Sequence, residues 1–163
     1  MNRHLVSAFL LACLVLMVPQ LGSAASFSNI VAFGDSLTDN GPETDGHGFQ
    51  VYSDGTVWVD AVAAQLGLDL ADYAYGGATT GWSNYNSEVS AGFSGLQWQI
   101  NNYDTDLITE NTLVSVWAGA NDFLVDFSTS SYDTGSAVAA ATNIGSTLEA
   151  LYEDGARYFL VPN

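Results

Sequence analysis

Three short stretches of the chain carry residue types suited to acyl-transfer chemistry. The first is Gly34-Asp35-Ser36-Leu37, directly after the apolar run Ile30-Val31-Ala32-Phe33. A serine at a strand-to-helix turn presents its hydroxyl to a carbonyl carbon, and helix N-terminal amides beside it can stabilise an anion. The stretch is not the Gly-x-Ser-x-Gly elbow of another hydrolase fold, because Thr38 holds the last position. The second is Tyr75-Gly76-Gly77-Ala78-Thr79, where glycine admits close approach to a backbone amide. The third is Trp117-Ala118-Gly119-Ala120-Asn121-Asp122, in which the Asn121 amide is a candidate donor to a developing oxyanion. Each stretch alone has a plainer reading: a helix-capping Asp or Ser, a loop glycine pair, and a capping Asn or Asp.

All three follow strand candidates. Ile30–Phe33 is a compact apolar run, Leu113–Trp117 is the second strong strand, Leu68–Ala74 is a weaker alternating candidate, and Tyr158–Val161 is the last, closed by Pro162. Between them lie helical patterns. Thr56 is placed to cap a helix with Val59, Val62, Ala63 and Leu66 on one face, ended by Gly67. Leu96, Ile100, Tyr103 and Leu107 mark a second helix. Val138, Ala141, Gly145, Leu148 and Tyr152 mark a long third, ended by Gly155. Ser/Thr/Gly-rich stretches at Thr79–Ser94 and Ser128–Ser136 read as surface loops. Apolar strands alternating with helices predict a parallel sheet covered on both faces, whose loops at the carboxyl ends of the strands carry the site.

Composition excludes several alternatives. The 163 residues hold 18 acids against 2 bases, a net charge of −16. Without a cationic surface the chain has no means of binding nucleic-acid phosphates or anionic lipid by charge. It contains no lysine, so serine–lysine catalysis is excluded, and its single cysteine, Cys13, forms no intrachain disulfide. Charged residues make up 12%, about half the usual ~25%, and nearly all are of one sign. Salt bridges therefore contribute little, and self-repulsion predicts a fold strengthened by salt. That fits either a saline habitat or simply an acidic exported protein. The aspartates lack calcium-loop spacing and read as a solvated acidic surface.

The N-terminus has the layout of a secretory signal peptide over residues 1–24: a short polar start with Arg3, an apolar stretch from Leu5 to Val18, a break at Pro19-Gln20, and small residues in Gly22-Ser23-Ala24. The apolar stretch falls short of the ~20 residues of a membrane span, so no stable span is expected after cleavage. Export to the periplasm or the medium follows. Cleavage removes Arg3, His4 and Cys13, leaving His47 as the sole histidine of residues 25–163. The other end stops at Pro162-Asn163, immediately after a strand where a catalytic loop is expected, so the sequence reads as truncated. A missing sheet edge would leave apolar surface open and the isolated chain poorly stable.

Taken together and in this order, the motifs resemble the GDSL, or SGNH, hydrolase family, in particular its bacterial phospholipase, lecithinase and haemolysin-like branch. The carrying segments are Phe33–Gly41, Asp72–Ala78 and Trp117–Asp122, with Asp54–Asp60 and Leu160–Asn163 similar to the family's connecting stretches. The resemblance runs from about Ile30 to the last residue. It implies a three-layer α/β/α fold with a parallel, flavodoxin-like sheet, and serine hydrolysis of lipid or short acyl carboxylic esters through an acyl-enzyme, without cofactor or metal. It also implies roles: Ser36 as nucleophile, and the Ser36 N–H, the Gly77 N–H and the Asn121 side chain as oxyanion donors. Two positions depart from the family pattern. Asp72 stands where asparagine is frequent. The general base, a histidine in a late Asp-x-x-His segment, has no counterpart, and His47, in Asp45-Gly46-His47-Gly48, does not match it. Trp82, Tyr85 and Phe93 are the candidate pocket-rim aromatics. The rival class is a non-catalytic binding or surface protein, or an inactive fragment, on the same scaffold. No feature of the sequence sets an oligomeric state.

Overall fold

The computed structural model describes residues 26–42, 48–86, 93–129 and 134–162. The expected signal peptide and His47 lie outside these residues. Strand β1 (Asn29–Gly34) is the centre of the molecule. Its side chains alternate: Val31 and Phe33 enter one apolar cluster, Ile30 and Ala32 another on the opposite face. Both faces are covered, which explains why the run is continuously apolar rather than alternating.

Three more strands join it: β2 (Asp69–Asp72), β3 (Thr112–Trp117) and β4 (Tyr158–Leu160). Their order is β2-β1-β3-β4 and every pairing is parallel. Asn29 is level with both Asp69 and Thr112, so the three strands run in step towards their carboxyl ends. This is the flavodoxin-like order. The chain moves from β1 out to β2, then crosses back to β3, leaving a crevice at the reversal. Helix α1 (Trp58–Leu66) covers one face through Val59 and Ala63. Helix α2 (Leu96–Asn102) and the long α4 (Thr134–Glu153) cover the other through Leu96, Ile144, Leu148 and Leu151; α3 (Ala120–Thr129) leads from β3 towards α4. The fold is the expected three-layer α/β/α arrangement.

Four local readings are corrected. Thr56 does not cap α1: the N-cap is Val57, with no side-chain cap bond, while Gly67 ends the helix at φ 66° as expected. The second helix stops at Asn102, because Tyr103 turns inward to meet Phe33 edge-on at 5.3 Å; Leu107 lies in a separate 3₁₀ turn, Thr105–Leu107, capped by Asp104. The face of α4 is rotated. Ala140, Thr147 and Leu151 are buried, whereas Val138 is 67% and Tyr152 55% exposed. In a helix so rich in alanine, glycine and threonine the apolar contrast is weak, and the sheet selects the stripe. Finally, much of Ser128–Ser136 is helical, since α3 runs to Thr129 and α4 starts at Thr134.

Arg157, the single basic side chain among the described residues, donates to the carbonyls of Tyr152 (2.9 Å) and Ala156 (2.7 Å) and lies over the Tyr152 ring. It serves the end of α4 rather than a carboxylate. Among the described residues no helix is long and apolar enough to cross a membrane.

Candidate active site

The site is built at the carboxyl ends of β1, β2 and β3. Strand β1 ends at Gly34, where an added Cβ would lie 2.2 Å from the Trp117 carbonyl oxygen. Only glycine lets the ends of β1 and β3 come this close. The Gly34 peptide is held from below by Gln99, which is fully buried: the Gly34 N–H donates to Oε1 (3.0 Å) and Nε2 donates to the Gly34 carbonyl (2.8 Å).

Beyond Gly34 the chain makes one helical turn. The Thr38 and Asp39 amides donate to the Asp35 carbonyl, and the Leu37 amide to the Asp35 side chain (3.0 Å). Ser36 sits half-buried on this turn. The backbone amides beside it therefore belong to a tight turn whose geometry Asp35 sets, not to the start of a long helix. No hydrogen-bond partner of the Ser36 hydroxyl lies among the described residues.

Asp39 ties this turn to the glycine segment. Its buried carboxylate accepts from the amides of Gly41 (2.9 Å), Phe49 (3.0 Å), Gln50 (3.4 Å) and Gly76 (2.6 Å). Asp72 adds a second tie, accepting from the Asn40 amide (3.2 Å) and the Ala74 amide (2.9 Å). A carboxylate in place of the family's frequent asparagine thus offers both oxygens to backbone donors, and the local hydrogen bonding is satisfied. These two residues and Asp35 are buried, which corrects the reading of the aspartates as uniformly solvated. Burial pushes the Asp35 carboxyl above its ordinary value against the Leu37 hydrogen bond, with the nearby Asp122 charge adding to the rise. Burial likewise raises Asp39, opposed by its four amide donors.

Gly77 has φ 82°, and a Cβ there would meet Asn84 Oδ1 at 2.3 Å, so both conformation and space demand glycine. Asn84 braces the loop by donating to the Gly76 carbonyl and to Ser94 Oγ, each at 2.8 Å. Across the crevice, Asn121 is buried in the first turn of α3. Its Nδ2 donates to the Ala78 carbonyl at 2.9 Å, which orients the amide and leaves a second N–H on the same nitrogen. Its neighbour Asp122 accepts from the Thr80 amide (2.9 Å) and the Thr80 hydroxyl (2.6 Å). Neither side chain is a simple helix cap: both fasten α3 to the glycine segment.

These ties bring Ser36, Gly77 and Asn121 to the wall of one cleft of about 490 Å³, completed by Tyr52, Tyr85, Asn86 and Ser128. Of the three aromatics expected at the rim, only Tyr85 lines this cleft. Trp82 lines a separate groove with Ile100 and Thr147, and Phe93 is 60% exposed. Sequence reasoning missed Tyr52, Gln99 and the fan of amides around Asp39. Gln99 had a signal: it is a polar residue on the buried stripe of α2, between Leu96 and Tyr103. Among the described residues no group of three or more His, Cys, Asp or Glu side chains is placed to hold a metal ion.

A family model described as GDSL-like lipase/acylhydrolase matches residues 30–163. The chain belongs to this family. The phosphatidylcholine-sterol acyltransferase of Aeromonas hydrophila is 31% identical over 130 residues, covering 71% of this chain and 38% of that protein. The chain thus spans under half the length of the curated relative it matches. The motif segments of this GDSL-type chain all fall inside the span of the family match, and each sits at the carboxyl end of a strand.

Proposed function

We propose that the protein is a serine ester hydrolase acting on lipid or short acyl carboxylic esters. The observation that carries this reading is the convergence of Ser36, Gly77 and Asn121 on one cleft at the sheet reversal. In the proposed reaction the Ser36 hydroxyl oxygen attacks the ester carbonyl carbon as its proton passes to a base. The carbonyl oxygen becomes an oxyanion, held by the Ser36 N–H, the Gly77 N–H and the free N–H of Asn121 Nδ2. Collapse expels the alcohol and leaves an acyl-enzyme. Water then attacks the acyl carbon and releases the acid. The acyltransferase name of the matched relative supports a second acceptor at this step, an alcohol in place of water.

The base in this reading is a histidine of an Asp-x-x-His segment, which the 163 residues do not contain. His47 is proposed as a rim residue rather than the base. Without that histidine the 163-residue chain is expected to turn over ester slowly or not at all, while Ser36 retains its oxyanion donors. Residues 1–24 are proposed as an export signal removed at Ala24, which N-terminal sequencing of the exported product checks.

A serine-directed fluorophosphonate tests the site without requiring turnover. Ser36 Oγ bonds to phosphorus as the P–F bond breaks, fluoride leaves and the hydroxyl proton goes to solvent. Labelling of the 163-residue chain that disappears in Ser36→Ala supports the reading. Absence of labelling in a longer chain carrying an Asp-x-x-His segment, or labelling that persists in Ser36→Ala, supports instead a non-catalytic protein on this scaffold. In a longer chain carrying an Asp-x-x-His segment, complete loss of ester hydrolysis on His47→Ala would overturn the rim role of His47.

A further inference from the structure

Helix α3 turns its apolar side to solvent. Ala120, Phe123, Leu124 and Phe127 fall at the i, i+3, i+4, i+7 spacing of a stripe that ordinarily faces a core. Here all four are exposed, with Phe123 at 52%, Leu124 at 45% and Phe127 at 67%. Phe127 makes an interaction of its own and still stays open. The inward side is polar instead: Asn121 is buried, and Asp122 and Asp126 are half-buried beside Val125. The hydrogen bonds from Asn121 to the Ala78 carbonyl and from Thr80 to Asp122 hold the helix in this orientation. The stripe cannot roll inward without breaking them. Ser128, exposed at the edge of the stripe, lines the cleft that holds Ser36. None of these exposed α3 residues is charged, in a chain of net charge −16.

We infer that the Phe123–Leu124–Phe127 face of α3 docks on a lipid surface of no net charge and brings the neighbouring cleft to esters held in that surface. The role given to the cleft rests on the serine-hydrolase reading above; the docking itself does not. A helix lying flat on a lipid surface inserts its apolar side chains at the boundary of headgroups and acyl chains, and binding follows the apolar area buried. A few side chains suffice for a reversible contact. They do not suffice for a second copy of this chain. Two phenylalanines and a leucine, each already partly covered, offer roughly 300 Å², against about 800 Å² per partner in a stable protein interface. Two copies of net charge −16 also repel each other. The same charge turns away an anionic surface, which leaves a neutral or zwitterionic one. Position supports the role: α3 carries both Asn121 and Ser128 on the cleft wall. Tyr85, on the same wall, is 45% exposed and combines an apolar ring with a polar tip, as suits a lipid–water boundary.

Vesicles of ether-linked phosphatidylcholine read the docking without any hydrolysis. Their partner is the chain of residues 25–163, which contains every described residue and lacks the apolar stretch Leu5–Val18. Co-sedimentation of this chain with the vesicles is expected. The double variant Phe123→Ser, Leu124→Ser should lower the partition coefficient about tenfold or more, because two apolar side chains no longer leave water. Leu66→Ser, at an exposed apolar position of α1, should stay within about twofold. Replacing about a third of the lipid by phosphatidylglycerol should weaken binding at low salt, and NaCl should restore it. A wild-type far-UV circular dichroism spectrum identifies folded variants, and either single variant serves if the double variant lacks it. Wild-type protein that does not bind, or an α3 variant that binds as wild type, overturns the proposal. So does a Leu66→Ser loss equal to that of the α3 variant, or binding that strengthens with phosphatidylglycerol. A concentration-dependent dimer that the α3 variant abolishes assigns the face to a second copy, and a longer chain that fails to bind while residues 25–163 bind assigns it to a segment of its own chain; each overturns the lipid surface. None of these outcomes depends on Ser36, so the serine-hydrolase reading stands or falls separately by fluorophosphonate labelling.

Discussion

The strand layer and the loop layer above it are built from opposite materials. In β1 and β3 the buried apolar residues are Ile30, Val31, Ala32, Phe33, Val114 and Val116, with Thr112 and Ser115 as buried polar exceptions in β3, and cohesion comes mainly from apolar area removed from water. One residue beyond β1 the interior turns polar: Asp35, Thr38, Asp39 and Asn40 are all buried, with Asp72, Thr80 and Asn84 beside them. There the cohesion comes from carboxylates and amides that accept from, or donate to, the backbone of a neighbouring segment. The difference shows how a protein almost devoid of cations buries acids. It partners them with main-chain N–H groups, which carry no net charge to balance but supply directional donors. Both layers contribute stability, and the loop layer also sets the relative positions of Ser36, Gly77 and Asn121.

Substitutions can break this division. The largest effect is expected for Asp39→Ala, which strands the four amides it accepts from and releases Gly76. Loss of about 3 kcal/mol or more in urea denaturation is expected, together with loss of fluorophosphonate labelling of the folded fraction. Labelling at the wild-type rate would show that the Asp39 tie does not position the glycine segment. Phe33→Ala should cost about 3–5 kcal/mol, yet its folded fraction should label normally, since Phe33 belongs to the strand layer. Asn121→Ala is the converse. A fall of about 10²–10³ in labelling rate with a small change in unfolding midpoint is expected, and equal losses in both would merge the two layers.

The pH dependence separates them further. Burial raises Asp35 and Asp39 above 3.8 in the folded protein. An acid raised on folding binds its proton more tightly in the native state, so the native state gains as pH falls. The contribution is complete below 3.8 and is lost as pH rises through the raised folded values. Acidification also reduces the self-repulsion of a chain of net charge −16. The melting temperature is therefore expected to be higher a little above pH 4 than at pH 8, and a steady fall on acidification would contradict this. Asp39→Asn should flatten the slope. Added salt acts on the surface alone: raising NaCl to about 1 M should increase the melting temperature, and an unchanged value would show that the acidic surface is not a destabilising load. The smallest effect belongs to Arg157→Ala, which removes the guanidinium at the end of α4 and should cost about 1 kcal/mol or less.

Much of the strand layer was legible because burial on both faces writes itself as continuous apolar runs. Ile30–Phe33 and Leu113–Trp117 needed no partner to be recognised. The order of the motifs, each following a strand, located the site at one end of the sheet. The face of α4 was not legible, because Val138 and Tyr152 fit a helical stripe as well as Ala140 and Leu151 do, and only contact with the sheet distinguishes them. The same holds for the loops. A hydrogen bond from Gly76 to Asp39 joins residues far apart in the chain and leaves no periodic trace.

The chain by itself determined the parallel α/β class, the resemblance carried by Gly34–Leu37, Gly76-Gly77 and Asn121, and the exclusions that follow from having 2 basic residues. These are properties of composition and of spacing along the backbone. The tertiary structure alone decided that Ser36, Gly77 and Asn121 line one cleft together with Tyr52, and that Asp72 is a satisfied acceptor. Such facts depend on which distant backbone donors and apolar surfaces meet, and that is fixed when the strands align in register and bring their carboxyl-end loops together.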